Sequence, residues 1–238
     1  MYSKIGHKER LYNFLLFFFR SLVEKISCVF SDFIICNSNE QKNSLTKYYN
    51  FPKKKIYTYV TEFNDIPSKF KIKRNKKQIL YVGSLQPRKE IDLILDTIEY
   101  LPVVYNLYLV GGTKKIINQY KSKKKFKNVF FIEKKNKGDL KKIYLESEIF
   151  LFPSKWEGSA RVIKEAISYN LKIICANISG NRMIDRKGNL FSYVKKNHPK
   201  HYAKAILNLN NKKCHKSKLL FDSRTVAKNL FNIYAQIN

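Results

Sequence analysis

Leu151-Phe-Pro-Ser-Lys-Trp-Glu-Gly-Ser-Ala-Arg-Val-Ile-Lys-Glu165 runs from a short apolar strand through a Glu-Gly turn into a helix. The chain continues as Glu165-Ala-Ile-Ser-Tyr-Asn-Leu-Lys-Ile-Ile-Cys-Ala176, which reads as the rest of that helix, a tight turn at Asn170 and a buried strand. Together they make one βαβ unit. Two carboxylates, Glu157 and Glu165, bracket the turn. With residues 159–169 helical at about 1.5 Å of rise per residue, their side chains stand on the order of 10 Å apart along the axis. Between them lies the positive end of the helix, where the N–H groups of Gly158, Ser159 and Ala160 are placed to hold an anion. Spacing alone is also met by a helix with one capping Glu and one surface Glu. The place of the pair decides for a ligand site, because open α/β sheets bind ligands at the carboxyl ends of their strands.

Outward from this unit the same alternation repeats. A strand over 78–83 ends in Gly83 and leads through Ser84-Leu-Gln-Pro-Arg-Lys89 to a helix that turns Ile91, Leu93, Ile94, Leu95 and Ile98 inward. Apolar runs follow at 107–110, closed by Gly111-Gly112, at 129–132, 140–145 and 149–152. Apolar strands alternating with helices of 10 to 15 residues are the pattern of an α/β, Rossmann-like, doubly wound parallel sheet. Upstream, residues 8–30 read as an amphipathic helix, 31–38 as a strand, 39–48 as a helix and 52–60 as a short strand. Residues 61–74 have the mixed polarity of a linker, and the charged run 71–77 is a solvated connector. The last stretch, 222–234, carries an N-cap at Asp222 and an apolar stripe at Val226, Leu230 and Ile233.

A chain of 238 residues with 44% hydrophobic content can bury a full α/β core and part of a second. Its 47 Lys and Arg against 18 Asp and Glu give a formal charge of +29, a balance that attracts nucleic acid, anionic membranes or phosphorylated ligands. The excess is mostly Lys spread from end to end among Asn, Ile, Tyr and Phe, as A- and T-rich codons would produce, so no specific nucleic-acid partner is read from it. Cys28, Cys36, Cys175 and Cys214 show no close C-x-x-C pairing, which argues for a reducing, cytoplasmic setting and against structural zinc. The apolar block 11–19, closed by Arg20, is short of the roughly 20 residues needed to span a bilayer. Residues 1–10 are polar and the block lacks a small-residue cleavage site, so it does not read as a secretory signal.

The residues assembled so far carry a resemblance. Pro153-Ser154, the turn Glu157-Gly158 and Glu165-Ala166, at these spacings, resemble the C-terminal, nucleotide-sugar-binding half of family-four (glycosyl transferases group 1) GT-B glycosyltransferases. The order of helix, strand and helix upstream resembles the tail of the acceptor-binding domain, and 222–234 the terminal helix that packs back across the two domains. The implied organisation is 1–70 as acceptor-domain tail and linker, 71–216 as the nucleotide-sugar-binding domain and 217–238 as the terminal helix. The resemblance makes Glu165 the ribose ligand, sets Glu157 toward the donor sugar and gives Gly158, Ser159 and Ala160 contacts to sugar and diphosphate. Lys89 aligns with the diphosphate-binding Lys, so that Glu157 and Lys89 form the catalytic pair, with Gly83, Ser84 and Arg88 on the donor side. Here the chain departs from the family pattern: the usual Arg near Gly83 is Ser84, with Arg88 as its substitute, the hinge turn is Thr61-Glu62-Phe63-Asn64, and the Glu expected after Ser179-Gly180 is Arg182.

By composition and position alone, Lys89 reads as a solvated charge, Gly83 and Gly111-Gly112 as tight strand-to-helix turns, and Trp156 as a packing residue, with stacking on a base left open. The four His residues lie outside the motifs and give no acid-base constellation. The implied activity is that of a retaining, hexosyltransferase-type enzyme passing a sugar from a nucleotide-diphosphate sugar to a glycan or lipid-linked acceptor in cell-surface polysaccharide synthesis, without metal or other cofactor. The expected partners are that nucleotide sugar, the acceptor, a companion polypeptide supplying the acceptor domain, and an anionic membrane surface touched peripherally from the cytoplasm. The alternative is an inactive remnant of such an enzyme, serving as a basic nucleic-acid- or membrane-binding module through the Lys and aromatic residues of 121–137.

Overall fold

The computed structural model describes residues 7–58, 74–123, 126–158, 160–185, 188–209 and 223–235. Both expected domain boundaries and all of the expected linker but Arg74 lie outside these residues. The chain divides into two compact units, residues 1–59 and 60–238.

The first unit is helix α1 (His7–Val29), strand β1 (Ile34–Cys36), helix α2 (Asn39–Tyr49) and strand β2 (Ile56–Thr58), with β1 and β2 paired in parallel. α2 starts where Ser38 caps it, its side chain accepting from the Gln41 N–H, while the Gln41 side chain accepts from the Asn37 N–H. It ends at Asn50, which takes the left-handed conformation (φ 54°) that Asn tolerates better than most residues. A small core of Cys28, Cys36, Phe51 and Ile56 holds these pieces together. Along α1, Phe14, Phe17, Phe18 and Phe19 remain exposed, as do Val29 within it and Phe30 just after it.

The second unit is a six-stranded, all-parallel sheet in the order β5-β4-β3-β6-β7-β8. Its strands are β3 (Asn75–Val82), β4 (Asn106–Val110), β5 (Val129–Ile132), β6 (Ser147–Phe152), β7 (Lys172–Ala176) and β8 (Phe191–Val194). The helices between them are α3 (Ile91–Glu99), α4 (Lys114–Lys123), α5 (Lys137–Glu146), α6 (Arg161–Ser168) and α7 (Ser179–Ile184). α8 (Pro199–Leu207) and α9 (Ser223–Ala235) follow the sheet. Central strands covered on both faces need side chains that are apolar on both, which is why Ile79-Leu80-Tyr81 and Phe150-Leu151-Phe152 are fully buried without alternation. The chain builds outward from β3 to β4 and β5, then returns to β6 on the other side of β3. The order of strands therefore reverses between β3 and β6, and the crevice above their carboxyl ends is the ligand-binding position of doubly wound sheets.

The fold is the expected Rossmann-like parallel sheet. Residues 185–209, for which no strand or helix is expected from the sequence, add β8 and α8, and α4 is a further helix beyond the expectation. β8 is only four residues long and is preceded by a turn in which buried Asp185 accepts from the N–H groups of Asn189, Leu190 and Phe191, each at 3.1 Å.

Candidate functional site

Two loops meet above the β3/β6 switch point. After β3, residues 83–90 turn through Gly83 and a short helical turn, Pro87–Lys89. After β6, residues 153–160 turn through Glu157 and Gly158. The loops are tied by the Lys155 N–H donating to the Arg88 carbonyl at 3.0 Å. Between them the Lys89 ammonium is bound directly to Glu157 Oε1. The same oxygen accepts from Ser154 Oγ at 2.6 Å and stands 3.3 Å from the Arg88 guanidinium.

Lys89 is 7% and Glu157 9% exposed, so this is a buried ion pair and not a solvated one. Burial pushes the Lys89 ammonium below the ordinary lysine range, while the bond and the charge of Glu157 pull it back up. The Phe152 ring lies 5.1 Å below the ammonium and adds a cation–π contact. Arg88 differs: 45% of its side chain is exposed, so it is free to turn to a ligand.

The second carboxylate is held separately. Glu165, on α6, accepts from the Tyr144 hydroxyl of α5 at 3.0 Å. The Tyr144 ring stacks on Tyr169 with centroids 4.9 Å apart, which fixes the hydroxyl. Burial and the nearby Glu165 carboxylate both raise the Tyr144 hydroxyl's pKa, so it stays a donor. At the far end of α6 the Arg74 guanidinium donates to the carbonyls of Tyr169 and Asn170.

The start of α6 differs from expectation. Its first helical residue is Arg161, with Ala160 as the N-cap, and both Ile163 and Lys164 N–H groups go to the Ala160 carbonyl. Gly158 stands before the helix, so its N–H is not one of the first-turn donors. Ser159 lies outside the described residues. Trp156 is 52% exposed, so it does not pack in the core. Gly83 has φ +156°, and its N–H donates to the Val110 carbonyl at 3.0 Å; the Ser84 carbonyl accepts from the Tyr81 hydroxyl at 2.9 Å. A Cβ on Gly111 would stand 2.0 Å from the Gly83 carbonyl oxygen, so this pair of glycines reflects a close approach of two loops as well as turn conformation. Ser179-Gly180 opens a helix of six residues and packs its Gly against the Glu157 turn.

Sequence reasoning missed Tyr144 and Glu90, and it read Gly180 as part of an anion-binding turn without its packing on the Glu157 turn. Tyr144 sat unnoticed within an apolar run. Glu90, in the left-handed conformation at φ 58°, pairs with Lys155 and accepts from Asn197 Nδ2 at 3.0 Å, linking the loops after β3, β6 and β8.

A parallel sheet with a carboxylate–ammonium pair at its switch point and a second, Tyr-held carboxylate on the following helix makes a Rossmann-like domain of the GT-B kind. The profile of Glycosyl transferases group 1 matches residues 62–220, and the chain belongs to that family. It is 30% identical over 220 residues to the capsular polysaccharide biosynthesis glycosyltransferase CapH of Staphylococcus aureus, covering 87% of this chain and 61% of that protein. An uncharacterized glycosyltransferase of Methanocaldococcus jannaschii, MJ1178, is 25% identical over 76% of this chain and 50% of its own length. The chain thus spans about half to three fifths of these relatives. Among solved structures it is similar in fold to Anabaena Alr3699/HepE, described in complex with UDP and glucose, with a TM-score of 0.73 at 16% identity over 87% of this chain and 64% of that one. The sucrose-phosphate synthase of Thermosynechococcus elongatus gives 0.75 at 19% identity, over 92% of this chain and 61% of that one.

Proposed function

We propose that this chain carries the donor half of a retaining glycosyltransferase that moves a hexose from a nucleotide-diphosphate sugar to a glycan or lipid-linked acceptor in cell-surface polysaccharide synthesis. The observation that carries the reading is the Lys89–Glu157 pair at the β3/β6 switch point. A nucleotide-diphosphate sugar needs acceptors for its hydroxyls and cations for its diphosphate, and ionised carboxylates are acceptor-only groups suited to pairs of hydroxyls. Glu165 takes the ribose, oriented by Tyr144. An arriving diphosphate competes with Glu157 for the Lys89 ammonium and draws in the exposed Arg88. Glu157 is thereby released toward the sugar hydroxyls, and the cations that held it stabilise the charge developing on the leaving diphosphate. The backbone around Gly158 and Ala160, with the loop of Gly83 and Ser84, forms the walls. No metal or other cofactor enters this scheme.

The capsular relative supports the polysaccharide setting, and the UDP complex of a fold neighbour supports the donor class. In this reading the acceptor is gripped with the help of a companion polypeptide, and the enzyme works in the cytoplasm at the membrane face. A thermal-shift panel of UDP, GDP, ADP and TDP and their sugars tests it. Ligand at about 100 times its Kd stabilises the folded state by roughly 2.7 kcal/mol, a readily measured shift. Stabilisation by none of them, alongside tight retention of nucleic acid on filters at about 0.15 M salt, would instead favour the binding-module alternative.

A further inference from the structure

The carboxyl edge of the sheet carries a second feature beyond the switch point. Between the end of β8 and the face of α8 lies a cavity of about 430 Å³, within the size range of small-ligand pockets. Tyr193 and Ala205 supply its apolar floor, and Lys195, Lys196, His201 and Lys204 stand around it. His201 and Lys204 are three apart on one face of α8, and Ala205 shares that face, so the helix presents charge and floor together.

Some cations of this unit are paired. Lys155 meets Glu90, Lys172 meets Glu148, Lys123 meets Asp92 and Lys89 meets Glu157. Among the described residues no carboxylate lines this cavity, and none pairs with Lys195, Lys196 or Lys204. The loop that carries the first two lysines is held in place. Asn197 donates to Glu90 at 3.0 Å and accepts from the buried Tyr202 hydroxyl at 2.9 Å, and His201 Nδ1 lies 3.3 Å from the Lys196 carbonyl. On Tyr193 the Arg182 guanidinium sits 3.8 Å from the ring centroid and covers one face of the ring. A concave site with an aromatic and aliphatic lining and three lysines that have no carboxylate partner among the described residues fits a ring that is apolar on one face and carries an anion. A flat cationic surface for a long polyanion would need no such floor.

We propose that the β8–α8 cavity binds a sugar bearing a carboxylate or a phosphate. It is separate from the donor site and joined to it through Asn197 and Glu90. As the source of that sugar, an anionic residue of the glycan rests on the glycosyltransferase reading above; the binding itself does not.

The test is amide chemical-shift titration of the ¹⁵N-labelled full chain with glucuronate, glucose 6-phosphate, glucose and inorganic phosphate, run beside a UDP titration. The expected result is saturable shifts at Val194, Lys196 and Lys204 with one or both anionic sugars; which of the two binds more tightly assigns the carboxylate or the phosphate. Glucose should give none, and inorganic phosphate should bind at least fivefold more weakly than the better sugar. The Lys196→Gln/Lys204→Gln variant should lose at least tenfold in that affinity with its UDP response unchanged, and Lys54→Gln, in the other unit, should lose nothing. Equal response to glucose, equal affinity for inorganic phosphate, or full affinity in the double variant would each overturn the proposal. UDP shifts near Glu157 report on the donor reading independently, so the failure of one is told from the failure of the other.

Discussion

Gly180 packs against the backbone of Glu157 so closely that a Cβ at position 180 would stand 2.0 Å from the Glu157 carbonyl oxygen and 3.1 Å from that of Gly158. Real Cβ atoms do not approach backbone this way, so the α7 terminus and the Glu-Gly turn are shaped by one another. Gly180→Ala must move one of them. The expected cost is about 1–3 kcal/mol of stability, with loss of nucleotide-sugar binding of tenfold or more. Gly138→Ala is the control: it is exposed in α5, its nearest neighbour would be 3.4 Å away, and it should gain roughly 0.5–1 kcal/mol from helix propensity. Urea unfolding of both variants reads the contrast, and equal stabilities would contradict it.

The buried Lys89–Glu157 pair predicts a non-additive cycle. Removing either group alone leaves the other charge without its partner in a desolvated place, so Glu157→Met and Lys89→Met should each cost roughly 3–5 kcal/mol. The double variant Lys89→Met/Glu157→Met removes both charges and should recover at least half of that. If the two single losses simply sum in the double variant, the pair is not coupled as the geometry requires.

Lys164, on α6 and 1% exposed, has its pKa pushed down to about 8 by burial and by nearby Arg161. An unfolded lysine titrates near 10.4. Below pH 8 both states are protonated and the folded state bears the cost of a buried charge. Between pH 8 and about 10.4 the unfolded state binds more protons, so stability rises with pH. The stability of wild type relative to Lys164→Met should therefore improve by on the order of 3 kcal/mol from pH 7 to pH 10.5. A difference that is flat across that range would contradict the assignment.

α1 exposes Phe14, Phe17, Phe18 and Phe19, and the chain carries +29. No described helix is long and apolar enough to cross a membrane. Apolar side chains with basic surroundings are suited to lying in an anionic interface. The chain should co-sediment with vesicles containing anionic lipid at low salt, and Phe17→Ser/Phe18→Ser should reduce the bound fraction severalfold. Negligible sedimentation at low salt would remove the membrane claim.

The parallel sheet was legible because its central strands are buried on both faces and so read as unbroken apolar runs flanked by Gly. β8 was not, since Phe191-Ser-Tyr-Val194 is four residues of an edge strand whose middle two are only half-buried, a pattern too short to stand out from a loop. Of the site, the two carboxylates stood out by their place in the βαβ unit, and Lys89 only through the family resemblance, since by position alone it reads as a solvated charge. That Lys89 and Glu157 would be bonded to each other was not, because residues 68 positions apart meet only through the strand order. Tyr144 was hidden for a related reason: an aromatic in an apolar run looks like core until the helix places its hydroxyl beside Glu165.

The central claim is that Glu165 and Glu157 divide one donor between ribose and sugar. Calorimetric titration of a nucleoside diphosphate and of its sugar conjugate tests it directly, on wild type, Glu165→Ala, Tyr144→Phe and Glu157→Gln. A hydrogen bond to a charged group is worth roughly 1.5–3 kcal/mol, so Glu165→Ala should weaken both ligands by at least tenfold. Tyr144→Phe, which only frees the Glu165 carboxylate to rotate, should weaken both by about fivefold. Glu157→Gln should spare the nucleotide and weaken the nucleotide sugar. Equal losses of both ligands in the Glu165 and Glu157 variants, or binding that none of the substitutions changes, would contradict the account.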